Sequence, residues 1–171
     1  MSTRVAGCIG MVIVAFVGSL GLSPSARASN FGVELNGVYR VFSDGEWAKK
    51  NEVFFDQASV VETWTVTTDC VSPIECSGEV KSDLGWTGTA RLGYFWYVEH
   101  TIPKWIPCSD GTFADGVQQF IIWGINPDTG ERMIKDFTHF AARNVTKGPS
   151  GACGVSNPVV IELPARIDKI S

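Results

Sequence analysis

Val61-Glu62-Thr63-Trp64-Thr65-Val66-Thr67-Thr68-Asp69 alternates along its length. Trp64 and Val66 fall on one face of an extended chain, and Thr63, Thr65 and Thr67 on the other. Successive side chains of a strand point to opposite faces, so this stretch reads as a strand with one buried and one wet face. Strand formers recur on both sides of it in short blocks, divided by turn residues. Gly37 to Phe42 is one block, ended by Ser43-Asp44-Gly45. Downstream come Gly78 to Ser82, Trp86 to Leu92, Tyr94 to Thr101, Gln118 to Ile125 and Pro158 to Leu163, with Ala165 to Ile170 as its continuation. The whole reads as all-β.

Residues 131–143 carry two patterns. Met133, Ile134, Phe137, Phe140 and Ala141 make a helical stripe. The β-rich surroundings and the turn residues Asp128-Thr129-Gly130 favour a hairpin strand instead. Seven or eight short strands must dispose of their sheet edges, and a closed barrel or a sandwich does so. Local turns dominate, so sequential strands pair as a meander. The expectation is a small antiparallel up-and-down barrel, with a β-sandwich as the alternative. Pro103 and Pro107 flank Trp105 and preclude a central strand, which makes that stretch a loop at the barrel mouth. Ser43-Asp44-Gly45, Ser82-Asp83-Leu84-Gly85 and Ser109-Asp110-Gly111 recur at unequal spacing. They read as turns, not as a blade repeat.

The first thirty residues set the compartment. Arg4 precedes an apolar run from Val5 to Leu22, followed by small residues at Ala26 and Ala28. This is the pattern of a secretory signal peptide, removed after residue 28, leaving residues 29–171 as one domain. Removing Arg4 and Arg27 from fourteen basic residues leaves twelve against eighteen acidic ones, a net charge of −6. That sign argues against a nucleic-acid partner. No later segment is apolar enough to span a bilayer as a helix. Cys8 has too few residues before it to be a lipidated cysteine.

Cys70, Cys76, Cys108 and Cys153 remain, an even number in an exported chain. Three pairings are possible from sequence. The favoured set is Cys70–Cys76, around a turn containing Pro73, and Cys108–Cys153. No C-x-x-C pair suggests a metal site.

Enzyme motifs are missing. The two histidines, His100 and His139, are weak candidates for a general base, with His100 read as a rim residue. No nucleophile elbow, phosphate loop or zinc-binding helix motif occurs. Asp44 with Glu46, and Asp128 with Glu131, read as turn acids. No catalytic residue, metal or cofactor is assigned.

Aromatic residues carry the remaining signal. Tyr94, Trp96, Tyr97 and Trp123 lie on strands that are apolar on both faces, and Trp105 lies nearby. A strand apolar on both faces must be covered on both. Aromatic residues fill cores at high area per side chain. These five are also the candidate lining of an apolar pocket or contact patch.

The segments Asn36-Gly37-Val38-Tyr39, Ser43 to Asn51, Thr63-Trp64-Thr65, Cys76-Ser77-Gly78, Gly85-Trp86 and Gly148 to Gly154 resemble those of a set of small exported mycobacterial proteins. The resemblance covers nearly all of residues 29–171. It implies a secreted or cell-envelope location, and a loop at Gly148 to Gly154 before the last strand. It implies no reaction and no catalytic residues. The leading expectation is non-enzymatic binding of an apolar or amphipathic envelope ligand, such as a lipid, against Trp96, Trp105 and Trp123. A protein- or cell-wall-interaction module is the second, and a carboxylate-based hydrolase the third. A barrel interior filled by large side chains would remove the ligand expectation in its simple form; an aromatic-lined cavity of roughly 300 Å³ or more would support it.

Overall fold

The computed structural model describes residues 30–135 and 138–171. The leader assigned to residues 1–28, with Cys8, lies outside the described residues, as does Phe137 of the helical stripe. In chain order the elements are β1 (Gly37–Ser43), β2 (Lys49–Lys50), β3 (Val53–Phe54), β4 (Val60–Ser72), β5 (Glu75–Ser82), β6 (Thr87–Leu92), β7 (Trp96–Pro107), β8 (Phe113–Ile125), β9 (Arg132–Met133), β10 (His139–Lys147), a 3-10 turn (Ala152–Gly154) and β11 (Val160–Lys169). Among the described residues there is no α-helix.

Eight of these strands close an antiparallel barrel in the order β1-β4-β5-β6-β7-β8-β10-β11, and β11 pairs back onto β1. Each barrel strand lies beside the next one in the chain, as in a meander. Closure pairs the edges that an open sheet would expose, and the barrel, not the sandwich, is the architecture. The alternation of β4 is realised in full: Trp64, Val66 and Cys70 point inward, while Thr65 and Thr67 face solvent. Trp64 sits opposite Tyr39 of β1 and Ser82 of β5. Both disulfides form, Cys70–Cys76 across the β4–β5 hairpin and Cys108–Cys153 between the loop after β7 and the 3-10 turn.

Large side chains fill the interior. Tyr39, Trp64, Phe120 and Phe140 are fully buried, with Val41, Val80, Val98, Ile122 and Ile167 around them. Trp64 meets Phe120 edge to face, with ring centres 4.7 Å apart, and Tyr39 meets Phe140 likewise at 5.9 Å. The segment before β1 closes one end of the barrel. Leu35 is buried there, and the Trp96 indole donates to the Val33 carbonyl at 3.1 Å. Asn36 and Thr68 tie the segment to β4 through reciprocal side-chain and backbone hydrogen bonds.

Two expectations need correction. Residues 103–107 are strand, not loop, because β7 runs on to Pro107 beside β8. Beyond Glu99 it has left β6, so it is an edge there, and its register with β8 shifts between Ile102 and Ile106. Lys104 takes φ 54° at this irregularity, and its N–H donates to Asp115 at 2.8 Å. Edges and bulges are where proline is tolerated in sheets. His100 is not a rim residue. It points into the barrel and is 9 % exposed. Within the ambiguous stretch Arg132–Met133 and the residues from His139 onward are strand, β9 and the start of β10, and along β10 Phe140, Ala142, Asn144 and Thr146 alternate inward.

Candidate functional site

The five aromatic residues singled out from sequence do not form one surface. Trp96 points into the core and is 2 % exposed. Tyr97, its neighbour on β7, takes the outer face and is half-buried under the Arg91 guanidinium, 4.5 Å from its ring. Trp105 lies nine residues along the same strand from Trp96, roughly 30 Å away at strand spacing. It packs over Gly116 of β8, where an added Cβ would come within 2.8 Å of the indole. Only Gly allows that approach.

Tyr94, Trp96 and Trp123 do come together. They line a half-open cleft of about 140 Å³ at the end of the barrel that the N-terminal segment closes. Its walls come from five stretches of the chain: Val33; Pro73 and Ile74 of the disulfide-clamped hairpin; Leu92 to Trp96; Ile122 to Gly124; and Arg132 to Ile134. The lining is mostly apolar. Tyr94, Ile74 and Ile134 stand exposed at its edge. Phe95 lies 5.7 Å from the Trp123 ring and 4.8 Å from that of Tyr94. Arg132 completes the rim, with its guanidinium 4.3 Å from the Tyr94 ring and 4.7 Å from that of Phe95. Its Nη2 donates to the Tyr94 carbonyl at 2.8 Å. Sequence reasoning missed Arg132 because β9, which carries it, reaches β7 only through the β8–β9 hairpin.

At the opposite end the barrel interior turns polar. Glu62 is buried, and its Oε2 accepts from the Ser82 hydroxyl at 2.5 Å and from the Trp86 indole at 3.0 Å. Trp86 lies flat against His100, the ring centres 4.0 Å apart and the planes 3° from parallel. His100 Nε2 meets Gln118 Oε1 at 2.6 Å, Gln118 donates to Asn144 at 2.7 Å, and Asn144 donates to Ser43 at 3.0 Å. These side chains reach round the interior from β4 to β1. Among the described residues, the one buried side-chain polar atom with no partner is Trp64 Nε1. The belt is therefore satisfied within itself, as buried polar groups must be. His139, the other histidine, lies outside the belt and meets Asp168 at 2.9 Å.

The two pairs of turn acids differ: in the 44–46 turn the Asp44 carboxylate takes a backbone N–H, whereas in the 126–131 turn Asn126 takes the backbone N–H of Asp128 and Glu131 accepts from the Thr129 hydroxyl at 3.4 Å. Asp110 accepts from the backbone and hydroxyl of Thr112. Those two bonds hold the Asp110 carboxyl below its usual range. Among the described residues no three His, Cys, Asp or Glu side chains gather as a metal site would need.

A second apolar feature stands outside the barrel. β2 continues along β11, and β3 turns back beside it. Asn51 (φ 47°) and Glu52 (φ 68°) make the left-handed two-residue turn that such a hairpin uses. Trp47, Val53, Phe54 and Phe55 are exposed on it.

No family model matches the chain, and no curated protein matches it. Among solved structures it is similar to the monomer form of the M. tuberculosis PknI sensor domain, with a TM-score of 0.53. The identity is 16 %, over 80 % of this chain and 88 % of that one. At that identity the likeness shows the fold.

Proposed function

We propose that this protein is a non-enzymatic binding module of an exported, oxidising space. Its ligand contact is the cleft at the closed end of the barrel, where it takes the apolar part of a small amphipathic molecule. The convergence of Tyr94, Trp96 and Trp123 on one cleft carries the reading. The filled interior removes the simpler expectation of a ligand held inside the barrel. A cleft of about 140 Å³ is below the range that encloses a drug-sized ligand. It suits the end of a chain, not a whole lipid.

Two disulfides support an oxidising compartment. The resemblance to small exported mycobacterial proteins supports the same location. The similar solved structure is a sensor domain, and sensing rests on contact with a ligand or partner. The test is tryptophan fluorescence during titration with hexan-1-ol, in the wild type and in Ile134→Asp. Ile134 is 76 % exposed, so this variant keeps the fold while placing a charge at the cleft edge. A saturable change in the wild type that weakens in the variant is expected. An unchanged spectrum in the wild type contradicts the reading.

The hairpin of β2 and β3 favours a second reading, contact with another protein or the cell wall. Trp47 and Phe54 pack edge to face at 6.2 Å and remain 59 % and 63 % exposed, a clustered aromatic surface of the kind found at contact sites. Trp47→Ser with Phe54→Ser would abolish retention on a cell-wall preparation if this surface is the contact. Undiminished retention argues against it.

A further inference from the structure

We infer that Arg132 makes the closed-end cleft selective for carboxylates: the ligand is a short aliphatic acid whose alkyl end enters the cleft and whose head group meets the guanidinium. This rests on the cleft being the binding site. Three observations carry it. The first is position. Arg132 lines the same cleft as Leu92, Trp96, Ile122 and Met133, so a cation stands at the edge of an apolar space. A molecule with an anionic head and an apolar tail matches both parts at once.

The second observation is order. An exposed arginine normally samples many rotamers, and fixing it costs entropy at the moment of binding. Here Tyr94 and Phe95 flank the guanidinium, and the Tyr94 carbonyl accepts one of its N–H groups. The head is held before any ligand arrives. Arginine stacks on aromatic faces in this way where lysine, a flexible point charge, does not.

The third is unused capacity. A guanidinium has five N–H donors, and one is engaged by Tyr94. Among the described residues no carboxylate pairs with Arg132. By contrast, Arg143 is bound at two points by Glu162, at 2.8 and 2.6 Å. Among the described residues Arg132 is thus a cation whose planar fork is positioned with no carboxylate on it, and a carboxylate is the group that such a fork binds through two parallel hydrogen bonds. The tail is limited by the cleft volume of about 140 Å³, which admits a short alkyl end.

Calorimetric titration of the wild type, Arg132→Gln and Arg132→Lys with hexanoate and with hexan-1-ol tests this. The wild type should bind hexanoate at least about tenfold more tightly than the alcohol, the margin of one charge-assisted pair. Arg132→Gln should lose that margin and keep its affinity for the alcohol. Arg132→Lys should restore only part of it. Equal binding of acid and alcohol by the wild type, or a preference that survives Arg132→Gln, overturns the role of Arg132 and leaves the cleft standing. Binding of neither molecule overturns both. Near-ultraviolet circular dichroism of each variant confirms that the aromatic packing is unchanged.

Discussion

Glu62 is the residue whose removal the barrel should feel most among its polar side chains. Two donors, the Ser82 hydroxyl and the Trp86 indole, depend on its carboxylate. Glu62→Ala strands both, and leaving a buried donor without its partner costs about 1–3 kcal/mol. Denaturant unfolding should show that loss; a change below about 0.5 kcal/mol, the ordinary range for surface substitutions, would contradict the belt as a stabilising unit. Tyr39 gives a second test at this scale. Burial pushes its phenol up to about 12, and its hydroxyl donates to the Asn36 carbonyl. A raised value means the neutral form is the one the fold favours. The stability it contributes is full below the ordinary tyrosine range near 10 and is lost as pH rises through about 12. Ultraviolet titration should show a late tyrosine step, and Tyr39→Phe should remove it. Glu62 was half legible in the sequence. The alternation that buries Trp64 also puts Glu62 on the same face, two residues earlier. Its partners lie 20 and 24 residues further on, and only the closed register brings them there.

Among the elements, β7 and β8 teach the most. Their paired extension beyond His100 carries Trp105 and ends at Cys108, bridged to Cys153. Prolines forbid a strand only where every backbone donor is needed, and the outer edge of β7 has no such need past Glu99. Sequence shows the prolines but not which strands have parted company, so this stretch read as a loop. The stretch 131–143 illustrates the converse. Its helical period is genuine in sequence, yet Arg132 and Met133 pair with β8, and Phe140 to Arg143 pair with both β8 and β11. Tertiary pairing outweighs local period when both sheet neighbours are waiting. The two disulfides should differ in worth. Cys108 and Cys153 are 45 positions apart, and Cys70 and Cys76 only 6. In the chain-entropy account, replacing the first pair by serine costs about 4 kcal/mol and the second about 2.4 kcal/mol. Equal losses would show that native-state contacts, not loop closure, set these values.

Taken as a whole molecule, the chain gathers many of its aromatic side chains into three groups. Trp64, Phe120 and Phe140 fill the barrel; Tyr94, Phe95 and Trp123 gather with Arg132 at the closed end; Trp47, Phe54 and Phe55 stand out on the hairpin. Composition announces the excess but not the division. The segments that looked apolar on both faces are covered outside partly by guanidinium groups, Arg91 over Tyr97 and Arg132 over Phe95. The edge of the cleft and the tip of the hairpin are left uncovered, as are Phe113 and Val155 at the far end of the β7–β8 extension and the loop before β11.

The most direct measurement is a backbone amide NMR titration of the native, disulfide-bonded protein with hexanoate. Shifts confined to Gly93–Trp96, Trp123–Gly124 and Arg132–Ile134, with the amides of Trp64, Phe120 and the β2–β3 hairpin unmoved, are the predicted result. Shifts centred on the barrel interior or the hairpin, or none at saturating hexanoate, would contradict the placing of the binding site at the closed end of a filled barrel.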